Sequence, residues 1–259
     1  MKAEIGIIGG TGVYDYDFIE VLETVDIDTP YGNPSEKIKI GNYGGKKIAL
    51  LPRHGAGHTI PPHMINFRAN IWALHKLGVK RIIATAAVGS LKEEYRPGGI
   101  VFVDQFIDMG KDVITFYDGP EVRHVSLADP FCPDMSYLFM KSAESLGIEY
   151  HDKGTYIRVA GPRFSTRSES EMLRKSGDII GMTAIPEAIL SREKEICFGV
   201  IATITDYDVW AEKPVDAKEV INVMKQNSEK TEKIIKDVII RIPFERKCIC
   251  SNALESASF

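Results

Sequence analysis

Residues 79–90, VKRIIATAAVGS, decide the fold class. The run is apolar without alternation and shrinks to alanine, glycine and serine at its end. A continuous apolar stretch of this length reads as a buried strand, and such strands belong to sheets covered by helices. The segment just upstream supplies one of those helices. In PPHMINFRANIWALHKLG, residues 61–78, Ile65, Ala69, Trp72 and Leu77 fall on one broad helical face and Gly78 ends it. Further upstream, EIGIIGG (4–10) is a short apolar strand ending in glycines, and IEVLETVDIDT (19–29) is another strand. EKIKIGNYGGKKIALLP (36–52) is a hairpin turning at Gly44-Gly45.

Downstream the alternation continues. GGIVFVDQFIDM (98–109) reads as one strand rich in Val, Ile and Phe, and Asp134 to Gly147 as a helix. KGTYIRVAG is a strand, TRSESEMLRKSG a helix with a Thr/Ser start, and DIIGMT a short strand feeding a helix from Pro186 to about Glu195. CFGVIATITDYD (197–208) is a strongly apolar strand with an acidic end. The last helix runs from about Ala217 to Ile239, with Val220, Ile221, Met224, Ile235 and Val238 on one stripe. No Pro/Gly/Ser linker, internal repeat or low-complexity segment interrupts this order. The expectation is a single α/β domain over residues 1–245, with a central mixed sheet flanked by helices. Residues 246–259 are expected to form a loosely ordered tail.

Composition narrows the function classes. The 259 residues are 44% hydrophobic and 26% charged, which is globular. Lys and Arg number 32 against 36 Asp and Glu, a formal charge of -4, with no basic stripe for nucleic acid. No apolar run approaches the length of a membrane span, and MKAEIGIIGG reads as a strand, not a signal peptide. A soluble, cytoplasmic protein is the expectation. Cys132, Cys197, Cys248 and Cys250 form no CxxC pair and have no His at zinc-finger spacing, which points away from a metal site. A bond between Cys248 and Cys250 would close a tight, strained ring. With only Gln105 and Gln226 among many Ile, Lys and Glu, the composition leans thermophilic.

In open α/β sheets ligands collect where strands end and helices begin. Six such junctions carry small or polar residues. GIIGGTG (6–12) fits neither G-x-G-x-x-G nor the P-loop pattern, yet its backbone N–H groups and Thr11 suit an anion. LPRHGAGH (51–58) offers the planar guanidinium of Arg53 and His54 as a further donor. TAAVGS (85–90) lets a ligand approach the backbone closely. In GPRFSTR (161–167) Phe164 can stack on a planar base and Ser165 can bond it, the alternative for Phe164 being core. GMT (181–183) opens a helix, and ITDYD (204–208) sets Asp206 and Asp208 at the end of an apolar strand, either as reactive carboxylates or as a salt bridge or cap.

Taken together, GIIGGTG, RHGAGH, NFRANIWAL, TAAVGSL, DQFIDM, DPFCP, GPRFS, GMTAIPE and TDYD resemble the S-methyl-5'-thioadenosine phosphorylases, in the trimeric branch of the purine nucleoside phosphorylases. The resemblance runs from about Ile5 to Ile240. It implies phosphorolysis of S-methyl-5'-thioadenosine to adenine and 5-methylthioribose 1-phosphate. It implies no cofactor, inorganic phosphate being a co-substrate, and a homo-oligomer, trimer or dimer of trimers, with no nucleic-acid or membrane partner. Its phosphate site would use Thr11, Arg53, His54, Ala86, Ala87 and Thr183. Some relatives carry threonine at the position of Ala86, so one hydroxyl contact is missing here. Phe164 would stack on the purine, Met182 would meet the ribose hydroxyls through its backbone, and Asp206, Asp208 and Ser165 would face the base. His124 would reach the 5' end of a nucleoside in the neighbouring subunit, and Ala217, Val220 and Ile221 would line the 5' pocket. Asp206 would be the catalytic acid. The related 6-oxopurine enzymes carry Asn at that position and Glu at that of Ser165, so both residues imply a 6-aminopurine. Thermophilic relatives imply disulfides Cys132–Cys197 and Cys248–Cys250. The alternatives are a broad purine nucleoside phosphorylase acting also on adenosine, inosine or guanosine, a nucleosidase using water, a dinucleotide-dependent dehydrogenase, and a purine-binding module without activity.

Overall fold

The structure is a computed structural model describing residues 2–10, 16–211 and 215–258, with only the backbone of Ala217 and Glu219. Thr11 therefore lies outside the described residues. The two apolar runs form the longest strands, β5 (Arg81–Ser90) and β10 (Cys197–Asp206), which lie side by side and parallel, Cys197 opposite Arg81 and Thr203 opposite Ala87. On its other side β5 pairs parallel with β1 (Ile5–Gly9), which pairs parallel with β4 (Lys46–Pro52). β2 (Glu20–Val25) and β3 (Ile38–Tyr43) extend this edge antiparallel, the β3–β4 hairpin turning at Gly44 and Gly45 with φ of 56° and 76°. Both positive values match the two-residue hairpin turn that the sequence signals.

The stretch 98–109 is two strands, not one. β6 (Ile100–Phe102) runs antiparallel to β10, whereas β7 (Gln105–Asp108) runs parallel to β8 (Thr155–Arg158). The chain changes neighbours at Val103-Asp104, which no local pattern announces. β8 pairs with β9 (Ile179–Gly181), and β9 closes on the end of β5 at Gly89 and Ser90.

Period-two alternation divides the buried side chains of β5 and β10 between two faces. Ile82, Ala84, Phe198, Val200 and Ile204 meet α1 (Phe67–Lys76) and α4 (Ala184–Glu193). Ile83 and Ile201 meet α2 (Pro133–Leu146) and α5 (Ala217–Arg241). α3 (Arg167–Leu173) starts with a Thr166–Glu169 capping box. The apolar stripe of α5 is core only in part. Met224, Ile235 and Val238 are buried, but Val220 is half-buried and Ile221 is 43% exposed in the single chain.

One expectation about the C-terminus is corrected. Residues 246–258 are packed rather than loose. Cys248 and Cys250 are buried, the Arg81 guanidinium donates to the Glu245 carbonyl (2.7 Å), and the His124 N–H donates to the Ala257 carbonyl (2.9 Å). The four cysteines carry no sulfur–sulfur bond in this structure, which leaves the two expected disulfides as expectations. The fold gathers all four into one cluster instead of two pairs, and Cys197 Sγ approaches Cys248 Sγ at 3.3 Å, outside either expected pairing.

Candidate active site

Parallel pairing sets the ends of β1, β4, β5 and β10 along one edge of the sheet. Arg53 follows β4 directly, and its N–H donates to the Gly9 carbonyl (3.0 Å). Gly10 donates from its N–H to Thr85 Oγ1 at 2.9 Å. A Cβ on Gly10 would lie 2.6 Å from the Thr85 carbonyl oxygen and 2.9 Å from Arg53 Nη1, so only glycine fits. The Arg53 guanidinium, 1% exposed, is fixed in three directions: Nη1 to the Thr85 carbonyl (2.9 Å), Nε to Glu187 Oε1 (2.5 Å) and Nη2 to Glu187 Oε2 (2.7 Å). Such a bidentate pair has a set plane and little rotational freedom. Glu187 comes from the first turn of α4, and Thr183 immediately precedes that helix without capping it through its side chain. The Thr183 N–H is 3.4 Å from the Tyr156 hydroxyl. A guanidinium beside a helix N-terminus is a site for an oxyanion. Ala86 is buried and Ala87 half-buried on the adjoining end of β5.

His54 enters this cluster differently from its expected role as a further donor. Burial, with help from the Arg53 charge, pulls its pKa from the ordinary 6.5 to about 4, so the ring is neutral at pH 7. Its Nδ1 lies 2.8 Å from the Ile60 carbonyl. A carbonyl only accepts, so Nδ1 carries the proton and Nε2 carries the lone pair. The neutral ring therefore offers Nε2 as a hydrogen-bond acceptor.

The carboxylates stand where β10 ends. A register shift between Ile204 and Asp206 breaks the ladder and re-aims Asp206. Its Oδ2 accepts from the Thr205 hydroxyl (2.7 Å) and its Oδ1 from the Asp208 N–H (2.8 Å). Burial raises the Asp206 pKa above the usual carboxylate range, these two donors draw it partly back, and the Asp208 charge adds to the rise. Asp208 is buried, its pKa is likewise raised by burial, and it sits at φ of 48°. Gly89 makes room opposite, since a Cβ there would lie 2.9 Å from Asp206 Oδ1.

Phe164 is 45% exposed, so the core alternative for it falls away. Its loop lies against Met182, because a Cβ on Gly161 would sit 2.5 Å from the Met182 sulfur. Arg167 ties the same loop to the turn after Asp208 by donating to the Val209 and Ala211 carbonyls at 2.9 Å each. Ser165 is half-buried between them in the chain. His124 stands elsewhere, exposed on the connection between β7 and α2 and backed by Ala257. Val220 and Ile221 lie in the first turn of α5. Motif reading missed Glu187, Thr85, Thr205 and Gly89, although all four lie inside the quoted motifs.

Comparisons with known proteins bear on this arrangement. The family model described as the phosphorylase superfamily matches residues 4–240. An S-methyl-5'-thioadenosine phosphorylase of Pyrococcus furiosus is 56% identical over 98% of both chains. One from Thermofilum pendens is 57% identical over 99% of this chain and 98% of its own. The chain belongs to the S-methyl-5'-thioadenosine phosphorylase family. A solved methylthioadenosine phosphorylase of Schistosoma mansoni, in complex with adenine, superposes with a TM-score of 0.93 at 32% identity over 99% of each chain. A member of this phosphorylase family is a pentosyltransferase, and the strand-edge cluster is where its fold concentrates polar chemistry. Among the described residues no helix is long and apolar enough to cross a membrane.

Proposed function

We infer that the chain cleaves S-methyl-5'-thioadenosine with inorganic phosphate, giving adenine and 5-methylthioribose 1-phosphate. The observation that carries this reading is the half-buried Asp206 carboxyl with a raised pKa, held at the β10 end of the strand edge that also carries the Arg53–Glu187 cluster. Phosphate sits among Arg53, His54, the Ala86-Ala87 backbone and Thr183 at the start of α4, with Thr11 from the segment outside the described residues. There it attacks C1' of the sugar. Charge leaves with the purine, and Asp206 discharges it by protonating N7. A positioned acid contributes ~10²–10⁴-fold to such a step. The second oxygen of the carboxyl accepts from the 6-amino group, which suits adenine.

Thr205 lets Asp206 exist in either protonation state. Its hydroxyl is within reach of both Asp206 Oδ2 (2.7 Å) and the Val88 carbonyl (3.1 Å). The single proton goes to the carboxylate when Asp206 is charged. When Asp206 is neutral it goes to Val88, and the hydroxyl oxygen accepts from the acid. Phe164 stacks on the purine, Ser165 and Asp208 face it, and Met182 meets the ribose. Ala217, Val220 and Ile221 line the 5' end, completed by His124 of a neighbouring subunit in a trimer or dimer of trimers. The exposure of His124 and of the first turn of α5 in a single chain supports that assembly. No cofactor is required, and the expected location is the cytoplasm.

The test follows free adenine from methylthioadenosine with and without phosphate. Release that depends on phosphate is expected. Release in phosphate-free buffer would make the protein a hydrolase, and none in either buffer would overturn the reading. The mass in solution checks the assembly.

A further inference from the structure

The turn that carries Asp206 and Asp208 has an uncommon backbone. Asp208 has φ of 48°, in the left-handed region, and the register of β10 against β5 shifts between Ile204 and Asp206. A residue other than glycine keeps such a backbone where its surroundings over-determine it. Here the surroundings include one short helix. Arg167, Ser170 and Arg174 stand at i, i+3 and i+7, from the first residue of α3 to the residue that caps it, which sets them on one helical face. All three meet the segment 208–211. We propose that Arg167, Ser170 and Arg174 are positioning residues for the proton transfer: this face of α3 clamps the turn Asp208–Trp210 and through it fixes the Asp206 carboxyl. The proposal rests on the reading of Asp206 as the acid that protonates the purine.

Each contact has its own chemistry. Arg167 Nη1 donates to the Val209 and Ala211 carbonyls, so one cation spans the 3₁₀ turn Asp208–Trp210. Ser170 is fully buried and its hydroxyl faces the Asp208 carboxyl, drawing back part of the rise that burial gives the Asp208 pKa. Ser170 Oγ and Asp208 Oδ2 make no other hydrogen bond among the described residues, which leaves the serine proton for the carboxylate it faces. The Arg174 guanidinium lies over the Trp210 ring, 3.9 Å from its centroid, an attractive cation–π contact, and Arg174 Nε donates to the Leu91 carbonyl (3.0 Å). On its edge the same ring donates from Nε1 to the Ser90 carbonyl (2.7 Å). Ser90 ends β5, so Trp210 pins the turn after β10 to the neighbouring strand, next to Gly89. From Asp208 the constraint reaches the acid in one step, because the Asp208 N–H donates to Asp206 Oδ1 at 2.8 Å. Arg53 at the phosphate cluster is held by Glu187 and Thr85 instead. Loosening the clamp therefore misplaces the acid and leaves the phosphate cluster as it is.

The experiment makes Arg167→Met, Ser170→Ala and Arg174→Met in the full chain, with Arg167→Lys as the conservative variant. Initial rates are measured with methylthioadenosine and phosphate varied in turn, and amide hydrogen exchange is followed by mass spectrometry in peptides covering 204–211. Each of the three should lower kcat by about tenfold or more, since a small misplacement can cost about 10²-fold, while KM for phosphate stays within about twofold. Exchange should quicken in 204–211 and stay native in β5. Arg167→Lys keeps donors for the two carbonyls and should recover most of the loss. Native kcat in variants whose exchange has quickened overturns the proposal, because the clamp then holds the turn without serving the acid. So does exchange that quickens equally in β5 with a matching rise in KM for phosphate, the mark of general loosening. If Ser170→Ala or Arg174→Met fails to fold, the exposed Arg167 decides alone. An unaltered chain that releases no adenine would instead overturn the reading of the site, and exchange at 204–211 would still test the clamp, native exchange in all three variants refuting it.

Discussion

Replacing Asp206 by Asn isolates the proton from the shape of the site. In the native chain Oδ1 accepts from the Asp208 N–H at 2.8 Å and Oδ2 from the Thr205 hydroxyl at 2.7 Å. An asparagine in the same rotamer keeps its oxygen toward Asp208 and turns its amide nitrogen toward Thr205. That nitrogen donates to the Thr205 oxygen, whose own proton passes to the Val88 carbonyl 3.1 Å away. No buried polar atom loses a partner, so the fold should hold and thermal denaturation should shift by no more than a few degrees. The chemistry should not survive equally well. Loss of a positioned acid lowers kcat/KM for methylthioadenosine by ~10²–10⁴-fold, about 3–5 kcal/mol of transition-state stabilisation. The amide also reads position 6 the other way, donating to an oxo group and accepting from N7–H. Activity on inosine should therefore rise while that on adenine nucleosides falls. A panel of methylthioadenosine, adenosine and inosine reads both effects. Unchanged preference and unchanged rate, in a variant that still folds, would refute the role given to Asp206.

Three other perturbations probe the same edge. Glu187→Gln removes the charge that fixes Arg53, leaving an uncompensated buried cation; KM for phosphate should rise more than that for nucleoside, and denaturant titration should show a loss of about 3–5 kcal/mol. Gly89→Ala places a methyl 2.9 Å from Asp206 Oδ1 and should depress kcat by about tenfold or more through a misplaced acid, with adenine binding measured alongside as the control. His54 titrates near 4 when folded and near 6.5 when unfolded, so between those values the unfolded chain binds the extra proton. Stability should fall as pH drops from 6.5 to 4, by up to about 3 kcal/mol, and His54→Asn should flatten that slope in denaturation curves taken across the range.

What could be read from the residues divides along physical lines. β5 and β10 were legible because burial on both faces leaves an unbroken apolar run, and the β3–β4 hairpin because Gly44 and Gly45 take positive φ. The break between β6 and β7 was not, since a strand's neighbour is chosen by the whole sheet. The same limit hid the C-terminal packing and the cysteine cluster, where residues more than fifty positions apart meet. At the site, strand-end positions such as Arg53 and Asp206 stood out by residue type. Glu187 did not, because an acid in the first turn of a helix has an ordinary reading as a partner of the helix dipole. Only its 2.5 Å and 2.7 Å contacts to Arg53 distinguish the two.

That ion pair also explains how a chain of net charge -4 can hold an anion. A guanidinium 1% exposed and without a counter-charge would be expensive to bury, so a carboxylate built into α4 compensates it whether or not phosphate is bound. The pair is formally neutral, and an arriving phosphate meets little net positive field from it. In the proposed site, direction draws the anion, through the plane of Arg53 fixed by Glu187 and the Thr85 carbonyl and the dipole of α4 beginning at Thr183, while the neutral His54 accepts from a protonated phosphate oxygen. A site of this kind selects by geometry and by the protonation state of its ligand more than by charge, which leaves phosphate binding less dependent on ionic strength than an open basic patch would be.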